Sequence, residues 1–177
     1  DRLQQSAAPA YAGAAIAGVF AGDLLTLFVF WELTAVTSVL LVWASRTERS
    51  FRAGLRYLII QVASGVLLLA GIAMLAGERG SSALVFDNLW DRFQEGTAGV
   101  WPVTLILVAF GIKAAFPLLH NWLQDAYPEA TVTGTVWLSA FTTKLAIYAL
   151  ARGFAGADCL VWIGAVMAAF PIFYAVI

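Results

Sequence analysis

Long apolar runs alternate with short polar stretches along this chain. A helix that crosses the hydrocarbon core of a bilayer needs about 20 mostly apolar residues, and on that measure spanning helices are expected at about 7–22, 24–44, 53–76, 101–124, 132–151 and 160–177. The fold class is therefore all-α: a polytopic transmembrane bundle of about six helices, one domain over 1–177. A polar loop at 77–100, with Glu78, Asp87, Asp91 and Glu95 against Arg79 and Arg92, separates the third and fourth runs. It is expected outside the membrane, with a short interfacial helix around Leu84 to Phe93. In the first run Ala14, Gly18 and Gly22 recur every four residues, a small face on which a neighbouring helix can approach closely. Pro171 is expected to break the last run.

Composition supports the same reading. Hydrophobic residues make up 62% of the 177 and charged residues only 12%, and the mean hydropathy of +0.85 lies outside the range of an ordinary soluble domain. The one basic cluster, Arg46, Arg49, Arg52 and Arg56 against Glu48, fits a short cytoplasmic loop. The chain is thus expected as a multi-pass protein of the cell inner (plasma) membrane, with loop 45–56 inside and Arg56 snorkelling to the interface. The lone cysteine, Cys159, excludes a disulfide framework or thiolate cluster within the chain. No phosphate loop, dinucleotide fingerprint or nucleophile elbow is present, and basic residues are too few and scattered for nucleic acid. Neither a cofactor nor a metal is expected, and a haem is not, because His120 has no second histidine to accompany it. Starting at Asp1 and ending within an apolar run, the chain reads as an internal piece of something longer.

A few charges fall inside the apolar runs. Placing one at mid-bilayer depth costs about 2.5 to 3.5 kcal/mol on insertion scales, and such groups commonly line ion or proton pathways. Glu32 lies near the centre of the second run, Lys113 in the fourth and Lys144 in the second half of the fifth. Four residues beyond Lys113 stands Pro117, which removes a backbone donor and should release the Lys113 carbonyl, so the break and the charge coincide. Freed backbone at that depth is tolerated where protein or a water-filled cavity satisfies it. His120 follows Lys113 by two turns, on nearly the same face if the helix resumes, and imidazole titrates near neutral pH. Glu32, Lys113 and Lys144 can form a minimal proton wire, with His120 as a further relay. The competing reading is a scaffold whose buried charges only hold helices together.

These residues carry a resemblance. GIKAAFPLLHNWLQDAYPEATVTGTVWLSAFTTKLAIYALAR and FAGDLLTLFVFWELTAVTSVLL resemble the signature segments of the proton-conducting antiporter family. That family comprises the antiporter-like subunits (L, M and N) of respiratory complex I, the large subunits of Mrp-type sodium/proton antiporters, and relatives in membrane-bound hydrogenases. The resemblance implies that Glu32 is the glutamate of the charged pair, Lys113 the lysine of the interrupted helix and Lys144 the connecting lysine. His120 and Trp122 match an H-x-W, and Asp125, Ala126, Glu129 and Ala130 a D-A-x-x-E-A turn. Ala115, Gln124, Tyr127 and Thr131 depart from the common pattern, and KAA with DAYPEA is closer to the D-type Mrp subunits. The implied whole is a fold of about fourteen helices in two inverted five-helix repeats, partnered by other membrane subunits in a multisubunit complex and by lipid. It would move protons, with sodium as a second ion, and have no redox site of its own. In an NADH:quinone oxidoreductase the subunit would be a translocase component.

Overall fold

The computed structural model describes residues 2–176, and their side chains except at 79, 81 and 170–176. Helices form at every position expected from the sequence, and no strand is found among the described residues. They are α1 (Arg2–Val19), α2 (Leu24–Trp43), α3 (Glu48–Arg79), α4 (Leu89–Gln94), α5 (Val100–Ala114), α6 (Asn121–Ala126), α7 (Val132–Gly153) and α8 (Asp158–Val176). Two of them, α2 and α3, are long and apolar enough by themselves to cross a membrane; α5 and the first part of α8 are shorter apolar helices. Of the six spans drawn from the sequence, two are thus met in length and hydropathy among the described residues.

Local chemistry sets the helix ends. Asp23 caps α2, its carboxylate accepting from the Thr26 amide at 2.8 Å and hydroxyl at 2.7 Å, and these bonds hold the carboxyl below the usual carboxylate range. Thr47 and Ser50 form a reciprocal capping box, which starts α3 at Glu48, five residues before the expected position, because the box satisfies the free amides of the first turn. The largest departure is in the fourth run, which is two helices joined by a non-helical turn, α5 and α6. In the last run α8 continues through Pro171 and is not broken there.

α1 and α2 pack side by side, α3 lies against α2 and α5, and α7 closes the bundle against α1, α2 and α5, with α6 on α3. Close approach is sterically specified: a Cβ on Gly18 would meet Leu145 of α7 at 3.1 Å, and one on Gly71 would meet the Pro102 carbonyl of α5 at 2.9 Å. The 77–100 segment is tied down. Phe86 donates its amide to the Gly22 carbonyl at 3.0 Å, and its buried ring enters the core beside Phe110. The outer face of α3 is the reverse of a soluble helix, with Leu55, Ile59, Val62, Val66 and Leu69 exposed.

Two apolar clusters fill the bundle. One gathers Leu24, Leu27 and Trp31 of α2, Leu68, Ile72 and Leu75 of α3, much of α5, and Leu145 to Leu150 of α7. The other gathers Tyr11 of α1, Val39 to Val42 of α2, Tyr57 of α3, Trp122 of α6 and Leu138 of α7. Between them, along α2, α3, α5 and α7 alike, lie the buried polar residues Thr34, Thr37, Ser38, Gln61, Ser64, Lys113 and Thr142. A polar seam therefore crosses the bundle partway along its helices.

Candidate functional site

Lys113 lies in the last turn of α5 and is 1% exposed. Its ammonium donates to the Trp31 carbonyl at 2.7 Å and to the Thr34 hydroxyl at 2.8 Å, both on α2, and lies 4.3 Å from the centre of the Trp31 ring. That ring is held in turn: Trp31 Nε1 donates to Ser64 Oγ of α3 at 3.0 Å, and Ser64 donates to the Ala109 carbonyl of α5 at 2.8 Å, one turn before Lys113. The cradle is thus a closed lock of three helices. Burying an ammonium costs several kcal/mol unless its donors are satisfied, and two hydrogen bonds plus a cation–π contact meet that need.

Glu32 follows Trp31 and is partly buried. Its side chain crosses to α3 and lies on Gly65, where an added Cβ would sit 1.5 Å from Oε1. This oxygen is buried without a hydrogen-bond partner. Lys113 bonds the carbonyl of the residue before Glu32, yet no ion pair joins it to Glu32; ion pairs among the described residues are Arg52 with Glu48, Arg56 with Asp125 and Arg92 with Asp87. Glu32 and Lys113 are therefore near neighbours that keep separate partners.

The break beside Lys113 is real, though it begins before Pro117. Ala115 adopts a left-handed conformation, φ 63°. Its amide donates to the Ile112 carbonyl and that of Phe116 to Gly111 at 2.9 Å, the paired bonds of a Schellman motif. Gly111 is required by this closure, since a Cβ there would come within 2.5 Å of the Phe116 ring. Trp122 Nε1 adds a 2.9 Å bond to the Ile112 carbonyl, so a buried indole from α6 braces the open end of α5. A left-handed alanine costs about 1 kcal/mol relative to glycine. Ala115→Gly should raise the stability of the full-length protein by about that amount, read as a higher melting temperature.

The other two site residues lie elsewhere. Because the helix turns at Ala115 and Leu118 is again left-handed at φ 71°, His120 does not share a face with Lys113; it stands partly buried at the start of α6. Lys144 is exposed on the outer side of α7, while Thr142, two positions before it, faces inward. The structure brings together Glu32 and Lys113 and leaves Lys144 apart. Arg56 is paired, 3.4 Å from Asp125 of the acidic turn.

Sequence reasoning gave no role to the inner face of α3. Tyr57, Gln61, Ser64 and Gly65 recur there at helical spacing, all buried, and a polar stripe at that period within an apolar run is a readable signal. A second buried group is made of hydroxyls: Ser38 and Tyr57 are 2.7 Å apart, and Tyr11 of α1 bonds Thr142 of α7.

An all-helical bundle with long apolar helices and a lysine and a glutamate near each other in its interior defines a membrane-embedded, antiporter-like protein. The chain belongs to the family described as NADH:quinone oxidoreductase/Mrp antiporter, TM, which matches residues 21–175. It is 30% identical over 145 residues to a D-type Na(+)/H(+) antiporter subunit of Bacillus subtilis (strain 168), covering 80% of this chain and 29% of that protein. Over 133 residues it is 31% identical to an N-type NADH-quinone oxidoreductase subunit of Desulfitobacterium hafniense (strain DSM 10664 / DCB-2), covering 75% and 27%. Among solved structures it is similar to a chain of the Mrp complex from Dietzia sp. DQ12-45-1b, with a TM-score of 0.75 and 28% identity over 89% of this chain and 30% of that one. The chain spans under a third of the length of each of these proteins.

Proposed function

We propose that this chain is part of a proton-translocating subunit of a multisubunit cation/proton antiporter, in which protons pass by way of Glu32 and Lys113. The observation that carries the reading is Lys113: an amine buried in the polar seam, held by a carbonyl and a hydroxyl instead of a carboxylate, beside a glutamate with a free oxygen. A group bound only by neutral partners can give up its proton and keep its place, which a tight ion pair resists. On this reading the six apolar runs expected from the sequence all cross the membrane, loop 45–56 faces the cytoplasm, and the complex carries protons, with sodium as the exchanged ion. Exposed Lys144 would meet further helices of the longer protein and pass protons onward, and His120, at the start of the helix whose Asp125 pairs with Arg56, would serve an access branch. The similarity to an NADH-quinone oxidoreductase subunit favours a second reading, the same proton chemistry within a redox-driven complex.

The test is Glu32→Gln in the full-length subunit within its reconstituted complex. Proton flux per assembled complex should fall to background with assembly intact. A scaffold role predicts the reverse, lower assembly with normal flux in what assembles.

A further inference from the structure

Gln61 is the one member of the polar seam whose side chain has no hydrogen-bond partner. It is 0% exposed, and neither its amide oxygen nor its amide nitrogen has a hydrogen-bond partner. Each unpaired polar group in such a place costs about 1–3 kcal/mol, and a primary amide offers two donors and an acceptor. Buried polar groups of this kind are satisfied by protein or by ordered water.

Its position follows from the helices around it. α2 and α3 run antiparallel, with Tyr57 against Ser38, Ser64 against Trp31 and Gly65 against Glu32. Gln61, one turn after Tyr57 and one before Gly65, is therefore level with Thr34. Toward one end of the seam lies the Thr34 hydroxyl with Lys113 on it. Toward the other lie Ser38 and Tyr57, 2.7 Å apart, and then a second bonded pair, Thr142 of α7 and Tyr11 of α1. Ser38, Tyr57, Thr142 and Tyr11 are each no more than 2% exposed.

We propose that Gln61 binds water between these two groups, and that this water joins Lys113 to the Ser38–Tyr57 pair and through it to the Thr142–Tyr11 pair, a proton route from the α5 lysine across to α7. The proposal rests on the reading of Lys113 as a proton-exchanging group. The Lys113 ammonium gives a proton to the water held by the amide, and the water passes one of its own to the first hydroxyl. Each hydroxyl accepts a proton on its lone pair as it releases the one it carried, and the last passes its proton to water beyond α7, so that none ionises; the neutral Lys113 amine then takes up the proton that Glu32 holds, and the count of protons is kept. The amide itself does not titrate; it positions the water. The route reaches Thr142, two positions before Lys144.

The experiment uses the full-length subunit in its reconstituted complex, reading proton flux per assembled complex and melting temperature. Gln61→Leu, which keeps the bulk and removes the water-binding atoms, should lower flux by about tenfold or more without lowering the melting temperature, because it removes unpaired polar atoms. Gln61→Asn, which retains an amide and leaves more room for water, should restore most of the flux. Tyr57→Phe should lower flux to a similar extent, and the double variant no further than the worse single one, as expected for one route. Wild-type flux in Gln61→Leu, or in Tyr57→Phe if Gln61→Leu does not assemble, would overturn the proposal. If those variants transport normally while Glu32→Gln does not, the route is wrong and the charged pair stands; if Glu32→Gln itself transports normally, the reading of the pair is wrong.

Discussion

Lys113→Met is expected to lower proton flux through the assembled complex by about a hundredfold or more, the scale of losing a positioned proton-transfer group, and to leave the melting temperature within a few degrees of wild type. The two halves of this outcome have separate causes. Flux is lost because no other amine among the described residues lies in the polar seam: Lys144 is on the outer side of α7. Stability is kept because the lysine is not one arm of a tight ion pair. Removing one partner from such a pair costs about 3–5 kcal/mol, since the other charge is left buried and alone. Here the amine bonds a carbonyl and a hydroxyl, and Thr34 retains its 2.7 Å bond to the Trp31 carbonyl after the amine is gone. Glu32 can hold a proton and become neutral. Methionine fills most of the lysine's volume over the Trp31 ring, and sulfur is favourable against an aromatic ring. Measuring flux and melting on the same preparation checks both halves.

Gly65→Ala should have the second largest effect, and it separates geometry from charge. The new Cβ would fall 1.5 Å from Glu32 Oε1 and 2.5 Å from its carboxyl carbon, so the carboxylate must move. Because the obstacle is the end of a flexible side chain, the helices need not move, and alanine is the better helix former by about 1 kcal/mol. The expectation is a flux lowered by about tenfold, on the scale of a misplaced proton-transfer group, with stability equal to or above wild type. In a Glu32→Gln background the same change should have no further effect on flux, the non-additivity of two residues acting through one group. Gly71→Ala is the control. There the Cβ meets the Pro102 carbonyl at 2.9 Å and Ile106 at 2.6 Å, α3 and α5 must part, and about 1–3 kcal/mol of stability should be lost while Glu32 keeps its cradle.

The break at Lys113 was legible from Pro117, but its form was not. A proline marks where a helix cannot continue; that the chain turns earlier, at a left-handed Ala115, depends on the Phe116 ring seated on Gly111 and on the Trp122 indole reaching Ile112, contacts made between segments. The same limit applies to His120. Its spacing from Lys113 places the two on one face only if the helix resumes in line, and the turn at Leu118 sends it elsewhere. Glu32 and Lys113 stood out because a charge in an apolar run is conspicuous. Gln61, Ser64 and Gly65 did not, since neutral residues in a spanning helix are common and Gly65 acquires meaning only from the carboxylate lying on it. Lys144 was as conspicuous as Lys113, yet sequence distance carries no information about which side of α7 it occupies.

On the proposed function, Glu32 and Lys113 share a protonation equilibrium in the interior of the bundle. Infrared difference spectra of the full-length complex after a pH jump test this most directly, because a buried carboxyl gives its own band. The predicted result is a titrating carboxyl signal that vanishes in Glu32→Gln and whose midpoint moves in Lys113→Met. A Glu32 band that titrates identically with and without the lysine would contradict that coupling.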